Sequence, residues 1–239
     1  MAKVTDVFVS GSIGNFIFYR RMGTSCARIK ASHVHQSGAT KVRSVNFGIA
    51  AKAGKALRGG LAPCMPLVTD RSMQSRFSGA IAKWLALSAI GELPATDPVP
   101  FISSLEFTKG QPVRERFKVP FSISQPKENA VAVNINGFVP SKEISAPAGT
   151  GRVTLIISVA ACLVKTGEPL GNETITIDIP YNDTHIAPQV LEFHVGIPSQ
   201  SLLVIAGRLV YKKLDDYVWI DMNKESFMPA GVIRAQYMS

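Results

Sequence analysis

Pro94, Pro98 and Pro100 fall within seven residues, and this cluster constrains the fold more than any other feature of the chain. Proline lacks the amide hydrogen that a helix or central strand needs, and it pushes the residue before it toward an extended conformation. No helix crosses such a stretch. Residues 94–100 therefore read as an extended linker between two parts whose side-chain periods differ.

The part before it, 1–93, begins with strand and turn signals. Val4–Ser10 is a β-type run and Gly11-Ser12-Ile13-Gly14-Asn15 supplies a turn. Phe16 to Arg21 is rich in aromatic and β-branched residues. Met22-Gly23-Thr24 turns the chain again, and Ser25–Ser32 returns. A hairpin of this size is marginal in water and must dock on something. The period then changes. Between Thr40 and Leu61, Val42, Val45, Ile49, Ala53 and Ala56 recur at helical spacing, with Lys52, Lys55 and Arg58 on another face. Thr40 is the expected N-cap and Gly59-Gly60 the expected stop. Gly48 and Gly54 each weaken the helix by about 1 kcal/mol relative to alanine, so it depends on packing. A second helix is predicted over Asp70–Leu93, capped by Thr69, with Met73, Phe77, Ile81, Trp84 and Ser88 on one face and Leu85 beside them.

Beyond the prolines the pattern is β throughout. Strands are expected at Phe101–Phe107, Arg114–Ser124, Ala130–Asn136, Val153–Val164, Glu173–Ile179, Val190–Val195, Leu202–Lys212 and Tyr217–Met222. The run Thr174-Ile175-Thr176-Ile177-Asp178-Ile179 shows the clearest alternation. Short strands split by Gly, Pro and Asn turns point to a sandwich, immunoglobulin-like or jelly-roll-like. Residues 223–239 have little periodicity and read as an extended tail. The expected class is thus α+β: a basic hairpin and two helices in 1–93, a linker in 94–100, an all-β sandwich in 101–222, and a tail.

Charge divides along the same line. Residues 1–93 hold 13 Lys and Arg against 3 Asp and Glu, a net of +10, whereas 94–239 hold 13 against 14, a net of −1. Such asymmetry suits a polyanion, or an acidic surface on a neighbouring subunit. The candidate contact residues are Arg20, Arg21, Arg28, Lys30, Lys41, Arg43, Lys52, Lys55, Arg58, Arg71 and Arg76. Arg20, Arg21, Arg28 and Lys30 lie near Phe16, Phe18 and Tyr19, a mixture that can track phosphates and stack on unpaired bases. The alternation of Phe16 and Phe18 equally suits a buried strand face.

Catalytic signatures are missing. There is no GxSxG elbow, GxGxxG fingerprint, Walker A loop, HExxH or EF-hand pattern. His33-Val34-His35 would place two imidazoles on one side of a strand at a spacing a metal can use. Acids are nearly absent from that third, which leaves no third ligand. Cys26, Cys64 and Cys162 are odd in number and far apart, so neither a disulfide framework nor a zinc site is expected. No cofactor and no enzymatic activity are expected. Lys3, Asp6, Arg20 and Arg21 leave no room for a signal-peptide apolar core, and Val153–Val164 is too short to span a bilayer as a helix. Synthesis in the cytoplasm is the expectation, with release in an assembled particle open.

The segment Gly11-Ser12-Ile13-Gly14-Asn15-Phe16 through Tyr19-Arg20-Arg21-Met22-Gly23, followed by Ala27-Arg28 and a helix, resembles a family of uncharacterised Bacteroidota and phage-associated proteins. Those pair a G-x-x-G-N-x-x-x-x-R hairpin and a helix with a C-terminal β-sandwich. The likeness covers residues 10–60 in detail, and the phage link implies a structural protein. The expected function is a structural subunit of a large homo-oligomer, a phage-type virion component or a filament, whose basic segment meets other copies or nucleic acid. The alternative is a sequence-nonspecific nucleic-acid-binding protein that uses the same basic third.

Overall fold

The computed structural model describes residues 3–5, 8–32, 36–66, 72–89, 92–95, 97–127, 129–222 and 227–238. The chain forms two compact units, Met1–Lys41 and Val42–Ser239. It is α+β, with antiparallel sheets throughout and few helices.

In the first unit, β1 (Lys3–Thr5), β2 (Phe8–Ile13), β3 (Phe16–Arg21) and β4 (Thr24–Ile29) form a four-stranded meander in sequence order. Gly14 (φ +54°) and the Met22-Gly23 pair (φ +49° and +81°) make the tight turns from β2 to β3 and from β3 to β4, where positive φ is needed.

The second unit is built on a sheet in which β7 (Arg152–Leu163) and β10 (Ser201–Asp215) are central. β8 (Pro169–Pro180) pairs with β7. The other edge of β10 takes β12 (Ala230–Met238) along its first half and β11 (Val218–Asp221) along its second. A three-stranded sheet of β5 (Phe121–Lys127), β6 (Ala130–Ile135) and β9 (Gln189–His194) lies on one face of this sheet. Two helices, α1 (Gly38–Gly60) and α2 (Met73–Leu85), pack on the other face. One-turn helices α3 (Val113–Arg116) and α4 (Pro140–Glu143) sit in connections.

Two cores follow from the period of two in a strand. Leu155, Ile157 and Val159 of β7, with Leu203, Ile205 and Leu209 of β10, share a core with Val131, Val133 and Phe193 of the smaller sheet. The intervening Ala160 and Cys162, with Leu202, Val204 and Ala206, share the other core with Ala53, Leu57, Phe77, Ile81 and Trp84 of the helices. A strand buried on both faces reads as an unbroken apolar run, which is why β7 and β10 show no alternation.

This arrangement differs from the expected layout. The division falls between Lys41 and Val42, because the helices share a core with the sheet instead of belonging to the basic hairpin. Residues 94–100 do not hang free: Pro94 is buried, and Val99 is fully buried with its N–H donating to Ala235 O at 2.9 Å. The expected tail contains β12, with Ala230, Val232 and Ala235 in the helix-side core and Ile233 in the other. Phe101–Phe107 is not a strand; Phe101 has φ +64° and the segment turns back through Leu105 N–H to Ile102 O at 3.0 Å. Arg114–Ser124 is split between α3 and β5. Helix α1 is capped by Ser37, whose Oγ accepts the Thr40 N–H at 3.2 Å, in place of Thr40 itself. Its buried residues are Ala50, Ala53, Gly54, Leu57 and Gly60; of the expected stripe, Ala53 is buried and Ile49 and Ala56 pack on the core, whereas Val45 is exposed. Helix α2 ends at Leu85, eight residues short of expectation, and the cap positions Thr69 and Asp70 lie outside the described residues.

Candidate interface: the basic meander and the exposed apolar residues

Residues directly opposite one another in antiparallel strands share a face. In the meander, Ile13 pairs with Phe16 and Phe16 with Ile29, so these three form a row across three strands. Gly11, Phe18 and Ala27 make the next row on that face, and Arg20 lies opposite Ser25 beyond it. The apolar row stands uncovered: Ile13 is 52%, Phe16 50% and Ile29 73% exposed. The reverse face carries Ser12, Ile17 and Arg28 in one row, then Tyr19 with Cys26, then Arg21 with Thr24. Lys30 follows β4, anchored by its N–H to Asn15 O at 2.6 Å. The sheet therefore has one apolar face and one basic, mixed face.

The remaining predicted contact residues separate into two groups. Lys41 and Arg43 are exposed on the first turns of α1, in a half of the helix whose Val45 and Phe47 are also exposed. Lys52 and Lys55 are exposed and rim a depression of about 500 Å³ floored by Gly59, Gly60, Gly167 and Asn172. Arg58 and Arg76 instead hold the helices in place. The Arg58 guanidinium donates to Ser78 Oγ at 3.3 Å and lies 6.0 Å from the Phe77 ring centroid, and burial lowers its pKa. Arg76 donates to Glu106 O at 2.8 Å and to Ser72 Oγ at 3.3 Å. Arg71, His33 and His35 lie outside the described residues.

Sequence reading missed one exposed apolar feature. The β10–β11 hairpin presents Leu214, Tyr217, Val218 and Ile220 at 56%, 98%, 62% and 42% exposure. Its signal was the two-residue interval Asp216-Tyr217 between alternating runs, which lacks the glycine or asparagine that marks such turns.

Two of the three thiols are poorly placed for chemistry. Cys64 and Cys162 are buried, and burial pushes their pKa values up to about 11 and about 12, away from the thiolate that a nucleophile needs. His194 Nδ1 lies 3.7 Å from Glu173 Oε2 on an exposed surface. Among the described residues, no group of three or more His, Cys, Asp or Glu gathers. No described helix is long and apolar enough to cross a membrane. Comparison with family models gives no match, and comparison with curated proteins gives none either.

Proposed function

We propose that this chain is a structural subunit of a large homo-oligomeric assembly, a phage-type virion component or a filament, with no catalytic role. The observation that carries the reading is the exposed row Ile13–Phe16–Ile29 on a meander whose other face is basic. A small sheet with one bare apolar face is stable only when that face is covered. The apolar surface left on the three side chains is on the order of 250 Å², worth roughly 6 kcal/mol at about 25 cal/mol per Å². Association costs about 4–15 kcal/mol in lost freedom, so a single contact of this size makes a weak pair. Several such contacts per copy make a stable particle, which favours a many-membered assembly over a dimer.

The two sheets that share the core of Leu155, Val131 and Phe193 support a sandwich body of immunoglobulin or jelly-roll type, and this would be the rigid part of each subunit. The likeness of the N-terminal motif to phage-associated proteins points the same way. A second reading rests on the reverse face of the meander, where Arg21, Arg28 and Tyr19 offer charge and an aromatic ring to a nucleic-acid strand.

Light scattering on nuclease-treated, full-length protein separates the two. The assembly reading expects a mass many times 25.7 kDa with a protein-like 260/280 nm ratio. A monomer that grows only when nucleic acid is added, and shrinks again as salt rises, would replace it with the second reading.

A further inference from the structure

The chain holds eight asparagines, and Asn136 alone is followed by glycine. Asn136 and Gly137 leave the end of β6 and lead to Phe138, whose N–H donates to Ile186 O at 3.1 Å while its C=O accepts the Ile186 N–H at 2.8 Å. Asn136 is exposed. Among the described residues, neither its side-chain amide nor the Gly137 N–H makes a hydrogen bond. Two other asparagines are held. Asn134 Nδ2 donates to Ser122 O at 3.4 Å and to Ser124 Oγ at 3.3 Å, and Asn182 Oδ1 accepts the Thr184 N–H at 3.0 Å. Every asparagine except Asn136 also precedes a residue with a side chain, which hinders approach to that residue's amide nitrogen. At Gly137 a Cβ would meet His185 Cε1 and Nε2 at 2.9 Å each and Ile186 O at 3.1 Å. The imidazole therefore fills the space where a side chain would stand.

We propose that Asn136 is a site of self-modification, where the folded chain closes a succinimide with Gly137 beside the His185 imidazole. The Gly137 nitrogen attacks Cγ of Asn136. The N–Cγ bond forms, the Cγ–Nδ2 bond breaks, and Nδ2 leaves as ammonia, taking up the proton that Gly137 gives up. Water then adds to either carbonyl of the imide and reopens the ring, leaving isoaspartate or aspartate. Three observations favour this chemistry here. The Asn136 amide is unbonded and free to turn its carbon toward the next residue. That residue has no side chain in the way. Imidazole, the side chain suited to moving protons near neutral pH, stands beside the peptide unit that must lose one. Aspartate would add a negative charge, and isoaspartate would lengthen the main chain by one carbon, immediately before the Phe138–Ile186 pairing. Phe138 is buried with its ring centroid 5.5 Å from that of Phe117, so the longer product strains a point where the loop is fastened to the core. The inference needs no partner and stands apart from the assembly reading.

The test ages folded, full-length protein at neutral pH and follows the tryptic peptide 128–142 by chromatography and mass spectrometry. Asn136 should lose its amide ahead of every other asparagine, and isoaspartate and aspartate should appear together. His185→Gln, with its fold checked by circular dichroism, should slow the conversion about tenfold, less than the roughly hundredfold or more of an enclosed enzymatic base because this imidazole is exposed. Wild-type protein held unfolded in guanidinium gives a second comparison that needs no variant. There the imidazole no longer stands beside Gly137, and conversion should be slower than in the folded chain. Aspartate without isoaspartate would mean direct hydrolysis and overturn the imide. An amide that persists in the folded protein, or is lost faster from the unfolded chain, overturns the proposal. Equal rates in wild type and His185→Gln overturn the part assigned to His185.

Discussion

The Cys64 thiol donates to Ser158 Oγ across 3.2 Å, tying the short 3₁₀ turn Ala62–Cys64 that follows α1 to the middle of β7. The same sulfur lies 3.5 Å from Ile156 O and 3.4 Å from Ala206 O, so it rests on both central strands at once. Burial is the main cause of its raised pKa, and the Ser158 hydrogen bonds and Arg208 only partly oppose it. A thiol held neutral in the folded state titrates near 9 once unfolded, and its folded value is about 11; for Cys162 it is about 12. Both folded values are raised, so their contribution is fully present below pH 9 and is lost as pH climbs through 11 and 12. The unfolding free energy from denaturant titrations should fall across that window, by a few kcal/mol in all. Replacing both residues with alanine should remove much of the fall, and an equally steep decline in that variant would contradict the assignment. Native protein should also offer a thiol reagent only the half-exposed Cys26.

Two neighbouring glycines should behave oppositely. A Cβ on Gly60 would meet Ala160 Cβ at 2.7 Å and Asn172 Cβ at 2.9 Å, whereas one on Gly59 meets nothing within 4 Å. Gly60→Val should cost about 1–3 kcal/mol by forcing α1 off the sheet. Gly59→Ala should add about 0.5–1 kcal/mol through helix propensity. Thermal or denaturant unfolding reads both, and equal effects would mean that α1 does not approach β7 and β8 so closely.

Among the basic residues, structural and surface roles should separate. Arg58→Ala and Arg76→Ala each remove hydrogen bonds that fasten a helix, and each should cost about 1 kcal/mol. Lys52→Ala and Lys55→Ala should stay within about 0.5 kcal/mol of wild type. If the lysine variants also disturb assembly while leaving the unfolding midpoint alone, the contact surface extends from the meander onto α1.

Trp84 is fully buried, with its ring centroid 5.5 Å from that of Tyr237 on β12. Trp84→Ala should cost about 3–5 kcal/mol, since the cavity opens between α2 and the edge of the sheet. Tyrosine and tryptophan fluorescence should report the loss of this packing together with the loss of stability. A small effect would show that the helix docks elsewhere.

Removing residues 1–37 leaves α1 whole and both cores of the second unit intact. The shortened chain should keep its β-rich circular dichroism and a cooperative transition, while its mass drops to that of a single copy. Loss of cooperativity instead would mean that the meander stabilises the body.

By itself the sequence determined the elements whose signal is local. Turn chemistry at Gly14 and Met22-Gly23 placed the meander's hairpins, the spacing of Met73, Phe77, Ile81 and Trp84 marked the buried face of α2, and alternation marked β6 and β8. The charge imbalance, too, could be counted without coordinates. Only tertiary structure decided where each element is buried. The stripe Val42, Val45, Ile49, Ala53 and Ala56 looked like one core face; Ala53 is buried and Ile49 and Ala56 pack on the core, yet Val45 is exposed, because the core meets only the second half of the helix. The prolines of 94–100 looked like a boundary, yet Val99 is held by β12, a strand more than a hundred residues away. β12 itself went unseen because its partner β10 is distant in sequence, and a strand buried on both faces shows no alternation to announce it. The pairing of Ile13, Phe16 and Ile29 into one bare row, and the lift of Tyr217 into solvent, depend on strand register. Register is settled by contacts between segments, which no single segment carries in its own composition.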